Sequence, residues 1–484
     1  MTETPAPATV AAPDRSGLVR TGPMLAVLLI GQAMATMDGS IVAVAASTIR
    51  ADLGASGAEQ QLLLAAYTLA FAVLVVTGAR LGQRYGHARI FRLGLAGFTA
   101  ASLCCGVAPE PVTLLAARVG QGLTGALMVP QVLSMIHQHL SGPARSRAIG
   151  RYSMVLALGV AAGQILGGAL ITLDPAGLGW RAVFLVNVPI GVALLVVAGR
   201  FLPVEEPART PSDRSDRLDL ASVTMLGAAM AAIVSPLVLG RELGWPGWLW
   251  LLSFAVGAAG LAGFATRQRR MATRGGSPLL DLRVLTHPGV RSGLLACCLV
   301  MGGYAGLVFG LVLRLQDGTG YPPLLAGLAF VPYTVGFAVC GLLAPRLSGW
   351  PADRLPVAGP LLFAAAAGAL ALVSREDWPW VIASLLLCGA GAGHAAGFSP
   401  LVTRIAARIP ADAGAALSAL VSTGTLLASA LGVAGLGGVY LSTSGPQDGN
   451  PTAGLGGTVA VLVVVLLVAA TLAGHAVRNR RPDG

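Results

Sequence analysis

Fourteen long apolar stretches follow one another along the 484 residues, and they constrain the fold more than any other feature. A helix needs about 20 mostly apolar residues to cross a hydrocarbon layer about 30 Å thick, and each stretch approaches or exceeds that length. The expected spans are 23–48, 60–79, 90–108, 111–136, 150–173, 183–202, 219–239, 247–266, 292–313, 324–344, 355–374, 379–403, 413–440 and 455–477. With 55% hydrophobic and 11% charged residues, the chain is predicted to be an all-α integral membrane protein.

The basic residues are divided unequally between the two sides of the expected membrane. All 32 are arginine, and with the N-terminus inside, 26 of them fall in cytoplasmic loops or ends. Such an excess is typical of cytoplasmic loops, so we expect a multi-pass protein of the cell inner (plasma) membrane with both termini cytoplasmic. Because the arginines are scattered over short loops, nucleic-acid binding is not expected despite the net charge of +11.

Two long polar interruptions divide the spans into groups of six, two and six. Two six-helix bundles around a central cavity are the architecture of many secondary transporters. The expected parts are a disordered cytoplasmic tail at 1–22, an N-terminal six-helix bundle at 23–202, a cytoplasmic loop at 203–218, two linker helices at 219–266, a cytoplasmic loop at 267–291, a C-terminal six-helix bundle at 292–477 and a cytoplasmic tail at 478–484.

Several kinds of chemistry are disfavoured by the sequence. The absence of lysine rules out the GxxxxGK[ST] phosphate loop, so transport would have to use an ion gradient. His137 and His139, in "HQHL", have no acidic residue nearby in sequence to complete a metal site. We therefore expect no enzymatic activity, no cofactor and no metal.

One carboxylate, Asp38, lies inside the first apolar stretch, in "MDGSIVAVA". A buried charge costs several kcal/mol unless it is paired or hydrated, so such a residue is functional by default. Asp38 lies about 22 Å along its span from Pro23, and Arg118 about 10 Å from the opposite end of span four, which puts both at similar depth. We expect them to pair, either as a proton-coupling site or as a structural link between two helices.

The surroundings of these charges are rich in small and amide residues. In "RVGQGLTGA", Gln121 lies one helical turn beyond Arg118, on the same face. In span five, Gly159, Gly163 and Gly167 recur at every fourth position, a stripe that is typical of close helix packing.

Six stretches of this sequence occur in a characteristic order. They are "MDGSIVAVA", "ARLGQRYGHAR", "RVGQGLTGALMVP", "GVAAGQILGG", "WRAVFLVNVPIG" and "LQDGTGYPPLLAGLAFVP". Together they resemble the major facilitator superfamily, and within it the fourteen-helix drug:proton antiporter family. The resemblance covers essentially the whole chain and implies the major facilitator fold, in which 14 transmembrane helices form two six-helix bundles plus two linker helices.

The resemblance also implies roles for individual residues. Asp38 matches the first-helix acidic residue associated with proton coupling, and Arg118 matches the fourth-helix arginine that tunes its protonation. The cytoplasmic gating loop between helices two and three corresponds to Gln83, Arg84 and Gly86. The antiporter-associated motif of the fifth helix corresponds to Gly159, Gly163, Gly167 and Gly168.

Two positions depart from the family pattern. Gln83 stands where the gating loop normally has an aspartate, so a charge-assisted hydrogen bond becomes at best a neutral one. Gln164 stands where a proline normally follows the central glycine, Gly163, and this removes a kink and adds a polar side chain. The second departure leaves the direction of transport open.

Further candidates fall on spans that correspond to cavity helices in this fold. The expected substrate-cavity residues are Gln32, Met34, Tyr67, Gln121, Met128, Gln164, Tyr304, Tyr333, His394, Ser418 and Ser422. His394, in "GAGAGHAAGF", could be a proton relay, a substrate contact or a bridge between helices. Met34 and Met128 could contact a substrate or fill the core.

These observations predict a proton-coupled secondary transporter that exports lipophilic small molecules, drugs or antibiotics, by alternating access. Its expected partners are the substrate, protons and membrane lipids, and it is expected to function as a monomer. The alternatives are a proton-coupled importer of a small solute, a lipid flippase and a non-transporting membrane sensor. Because Asp38 is the one carboxylate placed deep in the spans, neutral, monocationic or anionic substrates are favoured over dications.

Overall fold

The computed structural model describes residues 21–203, 219–276, 278–344, 350–375, 377–410, 413–444 and 450–478, and within these ranges it contains no β-strand. The α-helices are α1 (Thr21–Leu53), α2 (Gly57–Tyr85), α3 (His87–Gly106), α4 (Pro111–His139), α5 (Gly142–Leu173), α6 (Ala182–Leu185), α7 (Asn187–Phe201), α8 (Leu220–Leu239), α9 (Gly247–Thr273), α10 (Val290–Leu313), α11 (Pro323–Ala329), α12 (Val331–Leu343), α13 (Trp350–Val373), α14 (Trp380–Ala406), α15 (Gly414–Ser444) and α16 (Pro451–Arg478). A π-helical turn, Arg314–Gly318, follows α10.

Fourteen segments of the described chain are long and apolar enough to cross a membrane, and each coincides with a predicted span. The predicted all-α membrane fold is therefore confirmed. The sixth and tenth spans are each interrupted, at the α6/α7 and α11/α12 junctions. Pro189 and Pro332 lie just after these junctions, and each lacks the N–H that would bond the carbonyl four residues earlier.

The helices pack as two six-span bundles and a linker pair. In the first bundle α1 packs against α5, α2 against α4, and α3 against α4 and α7. In the second, α10 packs against α15 and α16, α13 against α14 and α16, and α12 against α14. The linker helices α8 and α9 pack on each other, and α8 also contacts α2 and α15, one helix from each bundle.

The predicted polar segments are only partly within the described chain. The tail at 1–22, the loop at 203–218 and the tail at 478–484 lie mostly outside the described residues. In the second predicted loop, α9 continues to Thr273, well past 266. The residues there, "RQRRMAT", include several good helix formers, which can extend a helix beyond the apolar layer.

The two bundles contact each other along α2 and α15 and, near one end of the molecule, through α5 and α11. We call the end where α1 begins the Thr21 end and the opposite one the Leu53 end. Near the Leu53 end, Gln316 donates a hydrogen bond of 2.8 Å to the carbonyl of Val44 in the other bundle. There α5 and α11 also approach so closely that a Cβ on Gly168 would lie 2.5 Å from the Cα of Leu324. Small residues thus permit backbone contact between the bundles at this end.

The linker helices are joined at the Thr21 end by a polar network around Asp219. Its carboxylate accepts hydrogen bonds from the Ser222 backbone and hydroxyl and pairs with Arg267 at 2.7 Å. Gln268 donates to the Ser222 hydroxyl at 2.6 Å and accepts from the Leu280 backbone. Burial raises the pKa of Asp219, but the hydrogen bonds from Arg267 and Ser222 outweigh it and hold the pKa below its usual value.

Replacing Asp219 with asparagine is expected to lower the melting temperature of the detergent-solubilised protein by about 1–2 °C, equally from about pH 5 to pH 8. A carboxyl whose folded-state pKa is lowered stabilises the fold fully above its unfolded value near 4 and loses that effect only as the pH falls through the folded value. Thermal unfolding of both proteins across this range measures the effect.

The matched control is Asp281→Asn, because Asp281 pairs with an exposed partner, Arg283. That change should shift the melting temperature less. A difference between wild type and Asp219→Asn that shrinks steadily between pH 8 and pH 5 would contradict the proposed electrostatic origin.

Candidate functional site

Two opposite charges meet deep inside the first bundle. Arg118 of α4 places its Nη1 atom 2.6 Å from Oδ2 of Asp38 on α1, and the side chains are 1% and 0% exposed. A buried ion pair is weak evidence for stability, because desolvation offsets much of the attraction. Removing one partner is costly, since it leaves a buried charge without compensation. The pair predicted from the depths of the two residues is therefore present, in a site where any change of charge has large consequences.

The second carboxylate oxygen of Asp38 is held by two amides. Its Oδ1 atom accepts hydrogen bonds from Gln121 at 3.2 Å and from Asn187 at 3.0 Å. Asn187 begins α7, just after the break in the sixth span. The carboxylate thus has charge-assisted or amide donors from α4 and α7, and no water is needed to satisfy either oxygen.

The guanidinium of Arg118 is enclosed by aromatic rings and acceptors. It donates to the Leu63 carbonyl at 3.3 Å and to the Gln121 side chain at 2.9 Å. It also lies 4.5 Å from the ring centre of Tyr67 and 5.8 Å from that of Phe184. If Asp38 took up a proton, these cation–π and carbonyl contacts would be the remaining partners of the cation.

Three members of this network, Asn187, Ser102 and Cys105, were not among the predicted site residues; the Cys105 thiol donates to Gln121 at 3.2 Å. Gln121 donates to the Ser102 hydroxyl at 2.7 Å, which extends the network to α3. Asn187 is the lone amide in the apolar run "FLVNVPIG", and that isolation was a usable signal. Ser102 gave no comparable signal, because serines are common in apolar helices and bond their own backbone.

Replacing Asn187 with leucine is expected to weaken but not abolish any function that depends on Asp38. The change removes one hydrogen bond to a charged group, worth about 1.5–3 kcal/mol, and leaves Arg118 and Gln121 in place. The readout is the amount of proton released when substrate is added, which should fall below that of wild type. Ser134→Ala, at a hydroxyl that bonds its own helix, is the control and should release protons as wild type does.

A cavity of about 350 Å³ lies between the two bundles. It is lined by residues from α1, α2, α4 and α5 of the first bundle and from α10 and α15 of the second. Among the described residues that line it, none carries a charge. Its polar groups are amides and hydroxyls, and its rings are those of Tyr67, Phe71, Tyr304 and Phe309.

The structure brings four of the predicted cavity residues to this lining. They are Gln32, Tyr67, Gln164 and Tyr304. Gln121 lies instead in the Asp38 network. Ser418 and Ser422 are exposed on α15 and lie outside this lining.

The methionines and the histidine lie behind the cavity wall. Met34 and Met128 are 2% and 0% exposed and belong to the apolar core of the first bundle. His394 shares a hydrogen bond of 2.7 Å with the hydroxyl of Tyr333, and both rings lie next to Tyr304. Tyr304 thus separates the Tyr333–His394 pair from the cavity.

Tyr67 connects the cavity to the ion pair. Its ring lines the cavity and contacts the Arg118 guanidinium, whereas Asp38 and Arg118 themselves are not part of the lining. A molecule bound in the cavity would therefore touch the ion pair through one aromatic side chain.

The predicted gating residues lie at the corner between α2 and α3. Gly86 has φ +91°, a conformation that favours glycine, and it allows the chain to reverse there. Gln83 is exposed, and the Arg84 guanidinium lies 5.2 Å from the Tyr85 ring. This corner is tied to α4 by Gln131, which donates to the Gly78 carbonyl at 2.8 Å.

The glycine stripe of α5 faces α1 at close range. A Cβ on Gly159 would lie 3.1 Å from Thr36, and one on Gly163 would lie 2.5 Å from the Met37 carbonyl. Gly167 faces Ile41 in the same way. Gly168 differs, because it faces α11 of the other bundle.

Comparisons with known proteins identify the family and agree with the fold. The family model of the Major Facilitator Superfamily matches residues 28–433. The chain is 35% identical to the probable actinorhodin transporter of Streptomyces coelicolor, over 87% of this chain and 73% of that one. It is 35% identical to the puromycin resistance protein pur8 of Streptomyces alboniger, over 94% and 91%. It is 32% identical to the tetracenomycin C resistance and export protein of Streptomyces glaucescens, over 91% and 80%.

Solved structures show the same fold. A bacterial homologue of the human lysosomal transporter Spinster, in an inward-facing and occupied conformation, superposes with a TM-score of 0.66 at 20% identity and covers 96% of this chain and 98% of that one. A peptide transporter in complex with sulfate superposes with a TM-score of 0.63 at 17% identity, over 94% and 95%. From the family match along most of its length, this chain belongs to the Major Facilitator Superfamily.

Proposed function

We propose that this protein is a proton-coupled secondary transporter that exports lipophilic small molecules of the drug or antibiotic class. The observation that carries the proposal is the buried Asp38–Arg118 pair, separated from an uncharged cavity by one side chain, Tyr67. A carboxylate in this position can hold or release a proton according to what occupies the cavity. The relatives named for puromycin resistance and for tetracenomycin C resistance and export support the same direction and class of substrate.

In the proposed cycle, Asp38 exchanges its bond to Arg118 for a proton. Substrate bound in the cavity pushes on Tyr67 and moves its ring, which lies against the Arg118 guanidinium. This movement favours the charged Asp38–Arg118 pair, so Asp38 releases its proton. Protonation of Asp38 while the cavity is empty has the reverse effect. Coupling follows because proton and substrate favour different arrangements of the same side chains.

The proposed moving units are the two bundles, residues 23–202 and 292–477, joined by the linker helices at 219–266. We place the Thr21 end and both termini in the cytoplasm and expect the monomer to be the functional unit, in the plasma membrane of a bacterium. The bundle contacts near the Leu53 end then form the closed outer gate. Gln83 at the opposite end provides a neutral, weaker latch than an aspartate would.

An importer is the second candidate, and the observation in its favour is Gln164. It stands on α5 where exporters of this kind are expected to have proline, and it lines the cavity. A lipid flippase is the third candidate and predicts no movement of protons.

Transport by inverted membrane vesicles distinguishes these functions. The vesicles contain the full chain, their interior is acidified, and 2,6-dihydroxynaphthalene and ethidium are used as fluorescent neutral and cationic probes. An exporter accumulates a probe inside while protons leave. If the same gradient drives a preloaded probe out of the vesicles, the protein is an importer. If probe movement does not depend on the gradient, transport is not coupled to protons.

A further inference from the structure

We propose that the cavity selects uncharged aromatic molecules that carry hydrogen-bond donors, and that the amide oxygens of Gln32 and Gln164 accept those hydrogen bonds. The inference rests on the proposed export function and narrows its substrate class. It depends on three features of the cavity, namely its lack of charge, its unpaired acceptors and its aromatic wall.

The cavity offers an ion no partner. None of its described lining residues is charged, and the nearest charges, Asp38 and Arg118, are bonded to each other behind Tyr67. A cation or anion entering the cavity would lose hydration without a compensating charge. A neutral molecule avoids this cost.

Two buried acceptors lack a hydrogen-bond partner. Gln32 and Gln164 are 3% and 2% exposed, both line the cavity, and Oε1 of each is unpaired among the described residues. Buried polar atoms are nearly always bonded, so an unpaired acceptor on a residue that lines the cavity indicates a donor supplied by the ligand. Hydroxyl or amine groups of a ligand could donate to these two oxygens.

The orientation of the Gln32 amide follows from its neighbour. The Thr36 hydroxyl donates its hydrogen to the backbone carbonyl of Gln32 at 2.9 Å. It can therefore only accept a hydrogen bond from the Gln32 side chain. The nitrogen of that side chain therefore faces Thr36, at 3.1 Å, and the oxygen is left without a donor. An exchange of the two amide atoms would place two acceptors against each other.

The two acceptors are spaced along one wall. The contacts of the α5 glycines with α1 give the relative positions of the two acceptors along the helix axes, because Gly159 faces Thr36 and Gly163 faces Ser40. Gln164 thus lies near the level of Ser40, eight positions or about 12 Å along α1 from Gln32. A fused two- or three-ring molecule with a donor at each end is long enough to reach both acceptors.

The facing wall is aromatic and fixed in orientation. Tyr304 stacks on Tyr333 with ring centres 5.2 Å apart and planes inclined by 23°. Tyr333 is in turn held by its hydrogen bond to His394. Offset-stacked rings at this distance are favourable, and a ring that is already oriented loses little entropy on binding a planar ligand.

The test compares three probes on the purified full chain. They are 2,6-dihydroxynaphthalene, its dimethyl ether, which keeps the rings but lacks donors, and ethidium, a planar cation. Wild type should bind the diol at least about fivefold more tightly than either of the others. Gln32→Met and Gln164→Met should each weaken diol binding about fivefold, as expected for one hydrogen bond, and leave the ether unaffected.

The matched control is Gln138→Met, at an exposed position near the end of α4, which should bind all three probes as wild type does. Equal affinity for diol and ether, tighter binding of ethidium, or binding of no probe would overturn the selectivity. Gradient-driven export of a probe in spite of such a result would leave the proposed function standing. If diol binding depends on the two glutamines but no probe is moved by the gradient, export is refuted and the proposed binding site stands.

Discussion

Asp38→Asn is expected to abolish substrate-dependent proton release and to reduce gradient-driven transport to the background of empty vesicles. Asparagine keeps the shape of aspartate and can still accept from Arg118, but it cannot take up or release a proton. The substitution also leaves the Arg118 charge buried without a counter-charge, at a cost of about 3–5 kcal/mol. Proton release on substrate addition, measured in weakly buffered detergent solution, is the direct readout.

The control for this experiment is Asp281→Asn, which neutralises a carboxylate in a surface pair outside the spans. It should release protons as wild type does. Substrate binding must be measured in parallel, because a misfolded Asp38→Asn protein would also release none. Proton release equal to that of wild type, from a variant that still binds substrate, would make Asp38 a structural residue and leave His394 as the next candidate.

The two central charges were predictable because helical geometry converts sequence position into depth. The helices that carry Asp38 and Arg118 enter the membrane from opposite sides. Counting residues from the start of each helix was sufficient to place the two charges at the same depth. Asn187 could not be placed in the same way, because its position depends on the break that precedes α7. Sequence periodicity does not reveal how a broken span turns its side chains.

The cavity lining was harder to predict than the ion pair. Gln32 and Met34 are two residues apart on α1, yet one lines the cavity and the other lies in the apolar core. Which face of a membrane helix meets a cavity depends on its rotation in the bundle, and an apolar helix with apolar neighbours leaves little trace of that in sequence. His394 illustrates the same limit, since it faces the cavity only through Tyr304.

The two departures from the family pattern have different surroundings. Gln83 is exposed at the α2–α3 corner, so the latch proposed there lies at the surface. Gln164 combines two contacts, because its side chain lines the cavity and its backbone carbonyl meets Gly327 of the other bundle. A Cβ on Gly327 would overlap that carbonyl. The cavity lining and the contact between the bundles therefore meet at one residue, which would connect a bound substrate mechanically to the proposed gate at the Leu53 end.

Gly168→Val is expected to force this gate open and to lower the transport rate at least about tenfold. The added side chain would overlap the backbone of Leu324 and the Pro323 carbonyl, 2.5 and 2.6 Å from its Cβ. Overpacking of this kind costs about 1–3 kcal/mol, or roughly five- to hundredfold in an equilibrium between open and closed states. The bundles can relieve it by separating, which would hold the transporter outward-open.

A cysteine in the cavity wall reports that separation. Ser40→Cys, combined with replacement of the exposed Cys104, should react several times faster with a membrane-impermeant maleimide from the outside when Gly168→Val is present. Gly150→Val, also on α5, is the control, since its Cβ would meet nothing within 4 Å and labelling should not change. Unchanged labelling of a folded, transport-competent Gly168→Val protein would mean that α5 and α11 do not form the outer gate, and that another contact, such as Gln316 with Val44, has that role.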